Sequence, residues 1–303
     1  MEWIFFLVIA YFLIALAALA DKFVLTKALP EPVAYAVTVS TVGLVGLVLI
    51  PFGFVVPNLW QLFISLVAGF GYTLSIFCLY KAVKFSEVSR VYTLVGAITA
   101  ISTFIFSYIF LAERLSFFQL VAFFILLFGG VLINLEFKKG KFLSRSFIFA
   151  ILAGIIFGIS YVASKYVYAN QIFTSGFVWI RIFAFIGAML FLVNRNNWHK
   201  VRQSFTATSP MRRRSSQLML FAGQAVGGLG FLLLNYVISL SSVSITLAAQ
   251  GLQYAFVLVL VLILAKRFPQ IWQERFSPLI LTQKIAAIFL IGAGLVLLTI
   301  NQV

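Results

Sequence analysis

Long apolar stretches separated by short polar segments run along most of the chain. A helix that crosses a lipid bilayer needs about 20 mostly apolar residues. Prolines such as Pro30, Pro32 and Pro57 lie in the separating segments, where they end helices because proline lacks the N–H donor. The pattern predicts ten membrane-spanning helices, spans 1 to 10, at residues 3–27, 33–56, 60–80, 89–112, 117–136, 147–168, 174–193, 217–239, 243–265 and 279–300.

The composition agrees with a membrane protein and excludes several other classes. Of the 303 residues, 63% are hydrophobic and 10% are charged, and the mean hydropathy is +1.12. Soluble domains average about 45–50% apolar and roughly 25% charged residues. A soluble enzyme, a disordered chain and a free nucleic-acid-binding domain are therefore excluded. Because backbone polar groups in lipid must be satisfied within the chain, we expect an all-α membrane protein.

The charges are distributed unevenly between the loops. The chain has 22 Lys and Arg against 7 Asp and Glu, a net charge of +15. Positive residues concentrate in the loops after spans 3, 5, 7 and 9, and such loops face the cytoplasm. We expect cytoplasmic odd-numbered loops and both termini outside, in a multi-pass protein of the plasma membrane. The longest loop, about residues 194–216, is interpreted as a solvated basic loop. Anionic lipid headgroups are the expected partners of these loops, and nucleic acid is not.

An internal repeat relates the two halves of the chain. Matching segments keep their order along the sequence: residues 20–25 with 163–168, residues 85–89 with 240–244, Gly96 with Gly251, and Gln119 with Gln283. Each half holds five predicted spans, and an odd number makes the second half enter the membrane in the opposite direction. The sequence therefore predicts two inverted five-helix repeats, residues 1–140 and 141–303. Inverted repeats are common in secondary transporters, with the substrate site at the repeat interface near the membrane midplane.

Three motifs resemble those of the drug/metabolite transporter superfamily, specifically its ten-span EamA-like family. They are residues 27–29 before the proline pair, residues 80–86 before span 4, and Glu113-Arg114-Leu115-Ser116 with Gln119 and then Gly129-Gly130 in span 5. The resemblance implies a ten-helix transporter of metabolites such as amino acids. Ala122 stands where the family commonly has glycine. The resemblance also implies cytoplasmic termini, whereas the charges here favour termini outside.

Charged residues inside spans are candidates for function, because a central Arg costs about 2.5 to 3.5 kcal/mol to insert. Arg181 lies near the middle of span 7. It is either a structural residue satisfied by carbonyls or an ion pair, or a substrate contact. Lys22 and its repeat-related copy Lys165 either reach the headgroups or, with Arg181, favour an anionic substrate. Asp21 is the remaining candidate for ion coupling, because no carboxylate lies near the centre of a span.

Uncharged polar residues supply candidate hydrogen-bonding groups. Gln250, Gln253 and Tyr254 are spaced i, i+3, i+4, so a continuous helix places them on one face. We expect this face, with the polar side chains of the neighbouring spans, to bind a polar solute, and the alternative is interhelical hydrogen bonding. The candidates from the neighbouring spans are Asn235, Tyr72 and Tyr161.

These patterns lead to one main functional hypothesis. We expect a secondary transporter for a small polar metabolite, an amino acid or a related organic solute, with alternating access around a central cavity; an anionic substrate is one option. We expect a monomer or homodimer with no cofactor, no metal site and no enzymatic activity, since His199 has no companion ligands and no P-loop or catalytic constellation is present. One alternative is a flippase for an anionic or lipid-linked substrate. A different class is a non-transporting membrane scaffold or a membrane enzyme.

Overall fold

The structure, a computed structural model, describes residues 2–25, 31–86, 88–134, 144–206, 210–267 and 278–300. The described residues are almost entirely helical and include no strand. The helices are α1 (Glu2–Leu25), α2 (Pro32–Gly43), α3 (Leu59–Val83), α4 (Val88–Phe110), α5 (Phe117–Asn134), α6 (Ser144–Asn170), α7 (Phe173–Leu192), α8 (Arg195–Thr206), α9 (Pro210–Leu240), α10 (Val243–Ala248), α11 (Gly251–Arg267) and α12 (Pro278–Ile300). A 3₁₀ segment, Leu44–Phe52, continues α2.

The predicted all-α membrane fold is confirmed. Within the described ranges, nine helical segments are long and apolar enough to cross a bilayer. The remaining predicted span, residues 217–239, lies within α9, whose described apolar part is Ala225–Leu240. Phenylalanines are exposed on the outside of the bundle, Phe5, Phe128 and Phe289 among them, each at 60% or more. Lipid chains cover such surfaces in a bilayer.

Small residues set the closest helix contacts. A Cβ on Gly69 of α3 would lie 2.6 Å from the Ile180 carbonyl oxygen of α7. A Cβ on Gly230 of α9 would lie 3.0 Å from the Ala10 carbonyl oxygen of α1. Helices in lipid associate through such close packing. α3 accordingly packs along α6 and α7, α9 along α1, and α5 along α12.

The region interpreted as a basic loop, about residues 194–216, is mainly helical in the structure, and that interpretation is wrong. α8 occupies Arg195–Thr206 and α9 already begins at Pro210. The segment is too polar to resemble a span, so hydrophobicity predicts no helix there. Its regular structure instead comes from amphipathic spacing, with Val201 buried against α2 and α7.

Two predicted spans are not single α-helices. Span 9 divides into α10 and α11, with a turn at Ala249 and Gln250. Span 2 changes from α-helix to the 3₁₀ segment after Gly43, and this segment contains Pro51, which cannot donate a backbone hydrogen bond. Hydrophobicity alone does not reveal these breaks, because the residues around them remain apolar.

The loops lie at two ends of the bundle. We call the end that holds the loops after spans 1, 3, 5, 7 and 9 the odd end, and the opposite end the even end. At the odd end, Lys84 pairs with Glu31 at 3.0 Å. At the even end, the Thr174 hydroxyl donates to the Phe52 carbonyl at 3.0 Å. Described basic residues concentrate at the odd end: Lys81, Lys84, Arg90, Arg145, Arg195, Lys200, Arg202 and Lys284. The cytoplasmic position of this end remains a prediction.

Candidate functional site

Arg181 is buried in the middle of the bundle. It is the ninth residue of α7, about 12 Å from the start of that helix at 1.5 Å per residue. Its exposed fraction is 4%. A guanidinium group keeps its charge in proteins, so the bundle contains a permanent cation near its centre.

Three aromatic rings surround this cation. The guanidinium carbon lies 4.6 Å from the ring centre of Tyr72 on α3, 4.6 Å from that of Phe231 on α9, and 5.3 Å from that of Phe177 on its own helix. A cation within about 6 Å of a ring face is attracted by the ring electrons, most strongly when water is excluded. These rings are one reason why the charge is tolerated in this position.

The side chain of Arg181 packs against the backbone of span 2, where two glycines leave room for it. A Cβ on Gly43 would lie 3.4 Å from Cδ of Arg181. A Cβ on Gly46 would lie 3.4 Å from Cγ of Arg181 and 2.8 Å from the Phe177 ring. Both glycines lie where α2 becomes the 3₁₀ segment, so larger residues there would displace Arg181 or the ring beside it.

No described carboxylate neutralises Arg181. The acidic residues whose side chains the structure describes are Glu2, Glu31 and Glu113, and all three lie at helix ends. The Nε atom of Arg181 is buried and has no hydrogen-bond partner among the described residues. An unmet buried donor costs free energy. The geometry therefore leaves Arg181 able to bind an anion.

Other predicted site residues lie beside this cation. The Tyr72 ring meets that of Phe157 at 6.0 Å, and Phe157 stacks on Tyr161 at 6.0 Å. On α9, the Asn235 side-chain oxygen accepts a hydrogen bond from the Tyr168 hydroxyl at 2.9 Å, and its amide donates to the Phe231 carbonyl. Asn235 thus orients its neighbours while its own amide groups are already bonded.

Gln250 and Tyr254 form a second group beside α4. A Cβ on Gly96 would lie 3.1 Å from Oε1 of Gln250 and 3.4 Å from the Tyr254 hydroxyl. A small cavity of about 20 Å³ lies here, and this volume holds about one water molecule. Gln253 is half-buried and does not line that cavity. The turn at residues 249–250 interrupts the helix. Gln250, Gln253 and Tyr254 therefore do not form the single face that an unbroken helix would give them.

Tyr11 of α1 contacts the broken span. It is 1% exposed, and its hydroxyl donates to the Thr246 carbonyl of α10 at 2.7 Å. This bond holds α1 against the part of span 9 that precedes the turn at Ala249 and Gln250.

Of the predicted lysine and aspartate sites, the structure describes only the side chain of Lys165, which lies apart from this centre. Lys165 lies at the even end, where its ammonium donates to the carbonyls of Ser239 and Ser241 at 3.1 and 2.8 Å. Those carbonyls belong to the end of α9, where cations are favoured. Asp21 and Lys22 lie on the last turns of α1, and their side chains fall outside the described residues. The roles assigned to these three residues remain predictions.

Several residues of the centre are not predicted by the sequence pattern. They are Phe177 and Phe231 against the cation, Tyr168 bonded to Asn235, Tyr11 bonded to the Thr246 carbonyl, and Gly43 and Gly46 beside Arg181. Two glycines three residues apart in an apolar span are a sequence signal for a close contact at that position. The aromatic residues carried no such signal, because phenylalanine is common throughout the chain.

A second cavity lies at the even end. It measures about 260 Å³, and residues of the second and sixth loops and the nearby helix ends line it. Both polar atoms of the Gln171 side chain are buried there without a hydrogen-bond partner among the described residues. The lining of this cavity therefore combines polar and apolar side chains.

The fold and the buried cation define a multi-pass helical membrane protein with a polar centre. Residues 1–135 match the model of the EamA-like transporter family. The whole fold is similar to that of a protein known from its crystal structure, with a TM-score of 0.71, 18% identity, and coverage of 99% of this chain and 96% of that chain. No curated protein matches the sequence at a significant level. The first 135 residues are thus similar to the EamA-like transporter family, which is consistent with the drug/metabolite transporter superfamily. The resemblance noted from the sequence is confirmed.

Proposed function

We propose that the protein is a secondary transporter for a small metabolite that carries a carboxylate or phosphate group. The observation that carries this proposal is Arg181, a buried cation with an unmet donor and no described carboxylate beside it. A planar guanidinium binds carboxylates and phosphates through paired hydrogen bonds. The family match supports transport as the general activity. The positive charge of Arg181 supports a negatively charged group on the substrate.

The position of the site favours alternating access. Helices from both halves of the chain surround Arg181, with α3 and span 2 from the first and α7 and α9 from the second. A substrate bound between two halves can be exposed to either side when the halves rock against each other. The predicted inverted repeat would give the two halves equivalent roles in this motion.

Polar contacts join helices at both ends of the bundle. At the even end, Lys165 holds the end of α9, and the Ser244 hydroxyl donates to Glu113 at 3.2 Å. At the odd end, the hydroxyls of Tyr80 and Tyr92 lie 3.2 Å apart beside the Lys84–Glu31 pair. We infer that these two sets of contacts open in turn during transport.

Ligand screening followed by transport tests the proposal. The purified protein is screened by thermal shift against carboxylates, phosphorylated metabolites, amino acids, sugars, nucleotides and short-chain lipid phosphates. A ligand at about 100 times its Kd stabilises the fold by about 2.7 kcal/mol. Each stabilising ligand is then tested in radiolabelled form for counterflow into proteoliposomes. We expect soluble anions to stabilise the protein and to be transported.

Variants of Arg181 connect the transport to the site. R181Q should abolish both stabilisation and counterflow. R181K keeps the charge but loses the planar fork, so binding should weaken by roughly tenfold to a hundredfold, as expected for one lost charge-assisted hydrogen bond. R114Q is the matched control, because Arg114 also stacks on a ring, that of Tyr108 at 3.5 Å, but at the exposed even end. Normal counterflow in R181Q, or ligands none of which carries a carboxylate or phosphate group, would contradict the proposal.

A further inference from the structure

α8 differs in character from the other helices of the chain. Its sequence, RNNWHKVRQSFT, is short and polar, with an apolar side and a basic side. It follows α7 after only two residues, and the turn is fixed by Asn194, whose carbonyl accepts from the backbone N–H groups of Asn197 and Trp198 at 2.9 and 3.2 Å. The Asn197 side chain also donates to the Phe191 carbonyl at 2.9 Å. α8 is therefore anchored directly to the end of a membrane span.

α8 lies against the ends of two spans at the odd end. Val201 is 8% exposed and packs in one cluster with Val33, Ala34 and Val37 of α2 and Ala188 of α7. The α2 residues belong to the first two turns of that helix, and Ala188 lies one turn before the end of α7. This packing keeps α8 close to the bundle, at the level where spans leave the bilayer.

The remaining surface of α8 combines an exposed tryptophan with positive charge. Trp198 lies on the same side of the helix as Val201, three residues away, yet it is 54% exposed. Arg195, His199 and Arg202 are spaced i, i+4, i+7, so they share the adjacent face, and all three are exposed. Trp residues concentrate at membrane interfaces, and basic amphipathic helices bind anionic membrane surfaces.

We propose that α8 is an interfacial helix that binds anionic phospholipid, with Trp198 inserted among the lipids and Arg195 and Arg202 against the headgroups. The occupant follows from charge complementarity and from the level of the helix at the bundle edge. Lipid is present at this position in every membrane, whereas a soluble polyanion would gain nothing from the indole of Trp198. This proposal concerns a surface remote from Arg181, so it stands or fails independently of the transported substrate.

Quenching of tryptophan fluorescence tests the proposal directly. The full-length protein is reconstituted into phosphatidylcholine vesicles that contain dibrominated phosphatidylglycerol or, at equal mole fraction, dibrominated phosphatidylcholine. The difference between wild type and W198F isolates the signal of Trp198 from that of the other tryptophans. We expect brominated phosphatidylglycerol to quench Trp198 more strongly than brominated phosphatidylcholine. This excess should disappear when salt is raised from about 0.1 M to about 1 M, which shortens the Debye length from about 10 Å to about 3 Å.

Charge variants separate lipid recognition from a general effect on folding. R195Q/R202Q should remove the excess quenching by phosphatidylglycerol, since each charge near an anionic surface contributes about fivefold to association. R195K/R202K keeps both charges and should retain the excess. R145Q removes an exposed charge from another segment of the same end and should also retain it. Equal quenching by the two lipids in wild type, or an unchanged excess in R195Q/R202Q, would overturn the proposal. Absence of any quenching of Trp198 would place the indole outside the membrane and overturn it as well.

Discussion

Arg181 combines a permanent charge, deep burial and ring contacts on several sides. Its stability in this place depends on residues from three helices and on the two glycines of span 2 that leave room for its side chain. An apolar segment containing one arginine is visible in the sequence. The identity of the groups that surround it is set by tertiary packing, which the sequence pattern does not reveal.

Loss of the Phe231 ring should weaken the fold around the cation. In F231L the guanidinium of Arg181 loses a ring at 4.6 Å while an apolar group still fills the space. A desolvated contact of this kind contributes about 2 kcal/mol or more, so F231L should lower the thermal unfolding temperature of the unliganded protein. F128L is the control, because Phe128 is 60% exposed on α5. Equal effects of the two changes would argue against a stabilising ring contact.

At the even end, we predict that a substitution of Gln171 stabilises the protein. Both polar atoms of its side chain are buried without a described partner, and an unmet buried polar group costs about 1 to 3 kcal/mol. Q171L replaces the amide by an apolar group of similar size, so it should raise the unfolding temperature. A lower unfolding temperature would mean that water or a solute satisfies the amide in the cavity of about 260 Å³.

At the scale of elements, one family motif has a structural explanation. The Ser116 hydroxyl accepts from the Gln119 backbone N–H, and the Gln119 side chain accepts from the Ser116 backbone N–H at 3.0 Å. This reciprocal pair is a capping box at the start of α5. Ser116 and Gln119 of the motif that carries the family resemblance therefore fix a helix start and lie outside the polar centre.

Removal of the cap should destabilise α5. Replacement of an N-cap serine by alanine costs about 0.5 to 2 kcal/mol, so S116A should lower the unfolding temperature, whereas S116T should keep the cap. Counterflow per folded molecule should be unchanged in both variants. A transport defect in S116A without loss of stability would assign the motif a role in transport.

The contact between α1 and α9 requires a glycine at position 230 but not at position 228. A Cβ on Gly230 would lie 2.9 to 3.0 Å from atoms of α1, whereas a Cβ on Gly228 would meet nothing within 4 Å. G230A should therefore destabilise the protein, while G228A should be neutral or stabilising, because alanine favours helices over glycine by about 1 kcal/mol. Thermal unfolding of the two variants, two residues apart on one helix, checks this. Similar destabilisation by both would contradict the described α1–α9 packing.

The helices were predictable from the sequence where a long apolar stretch is enough to define them. The apolar runs of α3 to α7 are long enough that their presence follows from hydrophobicity and their ends from polar or proline residues. The turn at Ala249 and Gln250 and the 3₁₀ segment of span 2 were not predictable in this way. The glycines at these breaks make close contacts that only the folded chain creates, Gly251 with the backbone of Gly130 and Gly46 with the Phe177 ring.

At the scale of the whole molecule, the helix pairing is compatible with the predicted inverted repeat. A two-fold axis that relates spans 1 to 5 with spans 6 to 10 would exchange the α3–α6 contact with the α9–α1 contact, and both are extensive in the structure. The same axis would map the α5–α12 contact onto itself. The repeat would then explain why the polar centre lies between the halves.

Cysteine accessibility tests the central claim, alternating access to the buried polar centre, most directly. Cys78 is the chain's single cysteine and is 5% exposed, so C78A gives a cysteine-free background. In that background, Y161C places a thiol beside Tyr72 and Arg181, and F128C places one on the lipid-facing surface as control. We expect a membrane-impermeant thiosulfonate to label Y161C from each side of the vesicle, with slower labelling when a transported anion is bound, and to leave F128C unlabelled. Labelling of Y161C from one side only, or from neither, under all conditions would contradict the account.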